Sequence, residues 1–280
     1  MRARLAGQSP TSFSLGRYVV RERLGQGGNG IVYRAEDPKL GRDVALKVVV
    51  ATTPERTEAV LAEAHALAKL NHPNVVAVFD AGQCEGAVYI AMELVEGVTL
   101  AEWFAGGRRS GPETIRVLLD AGRGLAAAHA AGLVHRDFKP SNVMVGDDGR
   151  VRVLDFGLAR SVLPQLLTVE GTTPAGTPGY MAPEQRQGQP PTAASDQYAF
   201  CVTFHEALTL RRPDDGRLAR WWLSVGRPII ARGLRPNPSE RHPSMLALIH
   251  RFERRRSLYL GAGLAGAAML GAAVTGALLR

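Results

Sequence analysis

The sequence predicts an α+β chain of two lobes, a small antiparallel β-rich one holding a single helix and a larger, mainly helical one, followed by a membrane-spanning helix. Three observations predict it. Over roughly the first hundred residues the apolar pattern comes in short β-branched runs, broken once by a stretch of helical spacing. Past Gly97 the spacing is helical apart from one hairpin, so a β-rich unit precedes a helical one. Residues 258–279 are 22 consecutive uncharged residues, mostly Ala, Leu and Gly.

Composition sets the limits. A chain of 280 residues with 45% hydrophobic and 21% charged residues can bury a core, which excludes a wholly disordered protein. Two cysteines, Cys84 and Cys201, are too few for a disulfide scaffold and fit a reducing compartment. The net charge of +8 rests on arginine spread along the chain, with only four lysines, so no nucleic-acid partner is expected.

Residues 1–17 hold no apolar stretch long enough for a signal peptide and read as a flexible lead. The first lobe, 18–94, carries strands over 18–24, 31–35, 44–50, 75–79 and 87–92. Within it, 54–70 sets Val60, Leu61, Ala64, Leu67 and Ala68 at helical spacing, with Thr53 as N-cap and Pro54 at the first helical position. The second lobe, 95–252, carries helices over 101–104, 112–131, 195–208 and 244–252. A hairpin of 143–145 and 151–154 turns around Gly146-Asp147-Asp148-Gly149.

The last element follows a basic stretch, 253–257. At about 1.5 Å per residue, a helix over 258–279 crosses a hydrocarbon layer of about 30 Å. Arg251, Arg254, Arg255 and Arg256 precede it and only Arg280 follows, so the positive-inside rule places residues 1–256 in the cytoplasm. The expectation is a single-pass protein of the cytoplasmic membrane that touches the lipid bilayer through 258–279 and has no external sensor. Its five glycines and seven alanines leave a buried carboxy-terminal helix as the alternative. Gly263, Ala267, Gly271 and Thr275 recur every fourth residue, a spacing that permits a homodimer.

Chemistry begins at Gly25-Gln26-Gly27-Gly28-Asn29-Gly30, a GxGxxG string. A dinucleotide site needs a helix to start there, but Ile31, Val32 and Tyr33 continue as a strand, and no Gly-Lys-Ser/Thr follows to make a Walker loop. The loop therefore caps a hairpin and lays its backbone over a ligand. On the next strand Ala45 and Lys47 share a face, opposite Val44, Leu46 and Val48, so a small residue and a cation line one wall beneath the glycines. That wall suits an adenine ring and its phosphates. Glu63 lies on the apolar side of the helix, three and four residues from Val60 and Leu67, and a carboxylate there needs a partner. Lys47 is the candidate; an interfacial Glu63 that curls to solvent is the alternative.

The second lobe carries His135-Arg136-Asp137-Phe138-Lys139-Pro140-Ser141-Asn142, then the hairpin, then Asp155-Phe156-Gly157. Folding the hairpin brings Asn142 near Asp155, an oxygen pair suited to Mg²⁺, which leaves its other positions to phosphate and water. Asp137, five residues before Asn142, lies within reach of an incoming hydroxyl, and Lys139 adds a second cation.

In this set of motifs the sequence resembles the eukaryotic-like Ser/Thr protein kinases of bacteria. Residues 18–252 carry the resemblance, which also takes in His72-Pro73-Asn74, Gly176-Thr177-Pro178-Gly179-Tyr180-Met181-Ala182-Pro183-Glu184, Ser195-Asp196-Gln197-Tyr198 and Ser239-Glu240-Arg241-His242-Pro243. It implies a two-lobed protein-kinase-like fold and transfer of the γ-phosphoryl of ATP to protein Ser/Thr hydroxyls. By resemblance, Leu24, Gly25, Gly27, Gly30, Val32, Ala45, Met92 and Met144 enclose ATP, and Glu93 and Val95 bond adenine through their backbone. Lys47, held by Glu63, clamps phosphates; Asn142 and Asp155 bind Mg²⁺; Asp137 and Lys139 act on the transferred group. Glu184 pairs with Arg241, and Asp196 ties the catalytic loop to the helical core. Thr168, Thr172 and Thr173 are candidate phosphorylation sites read by Arg136. The distance from Glu184 to Arg241 is short for the family, so the lobe looks trimmed between 211 and 235. A nucleotide-binding, pseudokinase-like scaffold is the alternative that this shortening suggests.

Overall fold

The computed structural model describes residues 13–27, 30–50, 53–84, 86–107, 109–157, 177–209 and 226–254. The expected span 258–279, Thr168, Thr172, Thr173 and most of the shortened stretch lie outside these residues. Among the described residues no helix is long and apolar enough to cross a membrane.

The first lobe is one antiparallel sheet. Strands β1 (Ser14–Leu15), β2 (Tyr18–Gly27), β3 (Gly30–Asp37), β4 (Arg42–Val50), β5 (Val78–Cys84) and β6 (Ala87–Met92) are ordered β1-β2-β3-β4-β6-β5. Helix α1 (Pro54–Ala68) packs on one face. Its start is fixed by Thr53, whose hydroxyl accepts from the Arg56 N–H, and by Pro54, which gives up no bond at that position. Alternation along β4 sorts the core: Val44, Leu46 and Val48 pack with Leu15, Tyr18 and Val20, whereas Ala45 and Val49 face Val60, Ala64 and Leu67 of α1. The second of these clusters runs unbroken into the other lobe.

The strand expected over 75–79 begins three residues later. Val75 and Val76 leave the sheet because the Asn74 amide donates to the Val151 carbonyl at 2.8 Å and Val76 N–H to Val153 O at 3.1 Å. The segment is bound to the second lobe instead. β5 then extends through Gly82, where a Cβ would stand 2.5 Å from the Tyr89 hydroxyl.

The second lobe contains β7 (Gly97–Thr99), β8 (Val143–Gly146) and β9 (Val151–Val153) as a small sheet. Helices α2 (Leu100–Ala105), α3 (Gly111–Ala130), α4 (Pro183–Arg186), α5 (Ala193–Thr209), α6 (Arg227–Gly233) and α7 (245–254) complete it. Phe200 and Phe204 of α5 form its centre, with Phe252 stacked on Phe204 at 4.8 Å. Each is fully buried, worth about 1.5–3 kcal/mol per side chain. Gly122 on α3 admits the Phe200 ring, which a Cβ there would meet at 3.0 Å.

Candidate active site

The cleft between the lobes is roofed by the β2–β3 hairpin. Its register, Gly25 opposite Val32 and Gly27 opposite Gly30, continues strand pairing up to the turn, so no helix opens at the glycines. Gly30 takes φ +128°, and a Cβ there would lie 2.3 Å from the Val48 carbonyl oxygen, which leaves glycine as the residue that fits. A Cβ on Gly25 would meet nothing within 4 Å, and Leu24 beside it is 48% exposed. This part of the hairpin is therefore open to solvent or a ligand. Val32 stands opposite Lys47, and Ala45 opposite Met92, so these four side chains occupy adjacent rows of one face.

Beyond Met92 the connection 93–96 joins the lobes. Glu93 N–H donates to Ala77 O at 2.9 Å, and Glu96 O accepts from Asp147 N–H at 2.9 Å. No backbone bond of Val95 forms among the described residues. The floor is half-buried Met144 on β8, opposite Thr99.

The loop before β8 is anchored from below. Asp196, buried at the start of α5, accepts backbone N–H groups from His135 at 2.7 Å and Arg136 at 2.8 Å, and lies 2.8 Å from His129 Nε2. Two backbone bonds from the loop and one contact from His129 of α3 meet on this buried carboxylate and fix the loop on the helical core. The His135 ring, pushed below its usual pKa by burial, packs 4.8 Å from Phe156 and bonds Leu154 O. On this platform Asp137 Oδ2 meets Lys139 Nζ at 3.0 Å, Asp137 Oδ1 accepts from Thr177 N–H at 3.3 Å, and Lys139 Nζ donates to Thr177 Oγ1 at 2.8 Å. Asn142 donates to Asp137 O at 2.8 Å, and Leu154 N–H donates to Asn142 O at 2.9 Å, which brings Asn142 alongside Asp155.

One expected pair does not form. Lys47 Nζ lies 2.7 Å from Asp155 Oδ1, and Glu63 Oε1 meets Arg136 Nη1 at 3.5 Å. Lys47 still faces the side of β4 that looks toward α1, so alternation placed it as read from the sequence. The choice of acid depends on how far α1 stands from β4, which alternation along a strand does not encode. Glu63 keeps one oxygen without a hydrogen-bond partner, and burial pushes its pKa up against the pull of Arg136 and Lys47.

Comparison with known proteins settles the lineage. The protein kinase domain family matches residues 18–219. This chain belongs to the protein kinase family. PknA of Mycobacterium tuberculosis, a serine/threonine-protein kinase, is 39% identical over 246 residues, 84% of this chain and 56% of PknA. A Streptomyces coelicolor protein named a probable serine/threonine-protein kinase is 41% identical over 207 residues, 71% of this chain and 31% of that protein. The chain thus spans about a third to a half of the length of these relatives. The crystal structure of the M. tuberculosis PknI kinase domain superposes with a TM-score of 0.68 at 25% identity, covering 88% of this chain and 99% of that one.

Three further features of the kinase site emerge in the structure. Glu184 and Arg241 form a buried bidentate pair at 2.6 and 2.7 Å, as the resemblance implied. Beside Lys139 and Thr177 opens a cleft of about 470 Å³ whose walls include Phe104, Tyr180 and Glu206, the Tyr180 hydroxyl donating to Glu206 at 2.8 Å. Sequence reading gave Glu206 no role, because a lone acid on a helix carries no signal. It also passed over Arg152, whose side chain reaches Glu93 at 2.8 Å from the middle of an apolar strand. A basic residue in so short and apolar a strand, four residues after Asp148, was the available clue.

Proposed function

We propose that the protein is a serine/threonine protein kinase that transfers the γ-phosphoryl group of ATP to hydroxyls of proteins. The observation that carries this reading is the ion pair of Lys47 with Asp155 across the lobes, beside a network that joins Asp137, Lys139, Asn142 and Thr177. Val32, Ala45, Met92 and Met144 would sandwich adenine between Leu24 above and the floor below. The Glu93 carbonyl and the Val95 N–H, neither spent on another backbone partner among the described residues, would bond its edge.

Lys47 would exchange Asp155 for ATP phosphate oxygens and take Glu63 as its partner. Asp155 would then be free for a cation. Asp155 Oδ2 and the Asn142 side-chain oxygen have no partner among the described residues, and among these no three acidic, His or Cys side chains form a closed cage. Two hard oxygens with open positions fit Mg²⁺, which supplies charge neutralisation of the phosphates when bound. Asp137 orients the substrate hydroxyl and accepts its proton as the new O–P bond forms and the β–γ bridging bond breaks, leaving ADP. Lys139 offsets charge on the moving group, and Thr177 holds Lys139 and Asp137 in one geometry.

The same reading extends to regulation and place. Thr168, Thr172 and Thr173 would be autophosphorylated, their phosphates paired by Arg136. Residues 258–279 would anchor the protein in the bacterial cytoplasmic membrane with the catalytic lobes in the cytoplasm, in contact with lipid and able to pair as a homodimer.

The test is transfer of radiolabel from ATP, with Mg²⁺, to the full-length chain and to a generic basic protein, beside Asp137→Ala. Label on the wild type, reduced about a thousandfold in the variant, is the expected result. Nucleotide-dependent thermal stabilisation without label on either protein would overturn the assignment.

A further inference from the structure

The connection 93–96 is held by side chains of both lobes. Arg152 on β9 is 4% exposed, and its Nη2 lies 2.8 Å from Glu93 Oε1 and 2.8 Å from Asp148 Oδ2. Its Nη1 adds a bond to Asp148 Oδ1 at 3.0 Å. The hairpin is shaped for this. A Cβ on Gly146 would lie 2.6 Å from Asp148 Oδ1 and 2.9 Å from Arg152 Nη1, so a side chain there would displace the guanidinium. Across the β8–β9 pair Arg152 stands opposite Met144, the floor of the cleft. At the far end of the same connection, Arg34 Nη2 on β3 meets Glu96 Oε1 at 3.2 Å.

A buried arginine in a strand of valines is an expensive choice. Desolvating it costs several kcal/mol, and an apolar residue of similar volume often serves stability as well or better. The cost is offset only if both acids stay in place, so the arginine specifies where they stand. Glu93 is the acid that matters. Its N–H is bonded to Ala77 of the first lobe and its carboxylate to Arg152 of the second, so the residue is tied at both its backbone and its side chain.

We infer that Arg152 is a positioning residue for nucleotide binding: through the Glu93 carboxylate it sets the Glu93 carbonyl and Val95 N–H at the spacing that an adenine edge requires. The inference rests on the kinase reading for the identity of the ligand. It adds that a side chain on the face of the small sheet that carries Met144 decides, through Glu93, how well the connection accepts it. The bidentate bond of Nη1 and Nη2 to Asp148 fixes the guanidinium plane while Nη2 also reaches Glu93, an arrangement that the single ammonium of a lysine does not reproduce.

The test compares Arg152→Gln, Arg152→Lys, Glu93→Gln and the Arg152→Gln/Glu93→Gln double variant in the full-length chain. Arg152→Gln and Glu93→Gln each raise KM for ATP and Kd for ADP about tenfold while kcat changes less than about twofold, and Arg152→Lys falls between. The double variant is no worse than the weaker-binding single variant, because both remove one interaction. Should Arg152→Gln fail to fold, Glu93→Gln, partly exposed on the connection, reads the same bond. Unchanged KM and Kd, a loss confined to kcat, or additive single effects would overturn the inference. ADP affinity, read by calorimetry, answers the question even if the wild type transfers no phosphate, which would sink the kinase reading alone.

Discussion

Arg136 reaches up from the loop before β8 to the Glu63 carboxylate on α1, 3.5 Å away, with its backbone in the left-handed region at φ 69°. Gly157 makes the room, since a Cβ there would lie 2.8 Å from Arg136 Cδ. The contact joins the two lobes through the arginine proposed to read a phosphate on the segment between Asp155 and Glu184. On the proposed reading, phosphate and Glu63 would compete for one guanidinium, and a phosphate that won would release Glu63 toward Lys47. Regulation and assembly of the phosphate clamp would then be one exchange of ion pairs.

Glu63→Gln separates stability from activity. Burial raises the carboxyl pKa above its usual 4.5, so the fold favours the protonated form. Its contribution to stability is complete below pH 4.5 and is lost as pH rises through the higher value of the folded state. Near pH 7.5 the variant removes that loss and melts at a higher temperature than the wild type. Phosphotransfer falls about 100-fold, because Lys47 loses the partner that holds it on the phosphates. Melting curves and label transfer on the same sample check both; a variant of unchanged activity would show that Glu63 has no part in the working state.

Thr177 bridges Asp137 and Lys139 with two different groups, its backbone N–H and its hydroxyl. Thr177→Val keeps the shape and the N–H but leaves the Lys139 ammonium without its 2.8 Å acceptor. The expected outcome is a tenfold or so drop in kcat with KM for ATP unchanged, since this bond acts on the transferred group and not on adenine. Thr177→Ser restores the acceptor and most of the rate. Steady-state kinetics with both substrates varied decides it, and equal losses for Ser and Val would place the effect on packing instead.

Much of this site could be read from residue order because its geometry is local. Strand alternation alone put Ala45 and Lys47 on one face, and the strand character of Ile31, Val32 and Tyr33 alone made the glycine string a hairpin roof. Asn142 and Asp155 come together because a hairpin of matched arms separates them. What stayed hidden depends on distances between elements. The partner of Lys47 follows from the separation of α1, β4 and the loop after β9, and the role of Arg152 from the approach of β9 to a connection some sixty residues earlier. The strands β1 and β7, at two and three residues, are too short to show a period.

Acid sensitivity should come from buried histidines. Burial lowers the pKa values of His135 and His242 below 6.5, and each ring bonds a carbonyl, Leu154 O and Ile229 O, as a neutral donor through Nε2. The unfolded chain takes up protons at these rings as pH falls below 6.5, while the folded chain does not. Their stabilisation is therefore complete above pH 6.5 and drains away as pH falls toward the lower folded values, at up to about 1.4 kcal/mol per pH unit for each ring. Urea midpoints between pH 8 and 5.5 measure the slope. His242→Gln, whose amide still reaches Ile229, should lose its share of that slope; an unaltered slope would acquit His242.

Arg241 is the residue with least tolerance for exchange. Its Nη1 and Nη2 hold both oxygens of Glu184 and the carbonyls of Ala194 and Pro236, and its Nε donates to Arg235 O at 2.9 Å. All five N–H groups are spent, and the guanidinium lies 5.0 Å over the Tyr198 ring. Lysine offers three donors from one point and no plane to stack, so Arg241→Lys leaves part of the Glu184 carboxylate and at least one carbonyl buried without a partner. Breaking such a pair costs about 3–5 kcal/mol, against only a fraction of that for an exposed ion pair such as Arg235–Glu240. Glu184 directly follows the stretch from Thr177 to Pro183, so the damage extends to Thr177 and Tyr180 in the wall of the cleft beside Lys139. The variant should unfold at markedly lower urea, and at permissive temperature it should lose kcat/KM for a protein substrate more than affinity for ADP. Equal losses of the two would mean that the pair supports the fold as a whole and has no special hold on the substrate side.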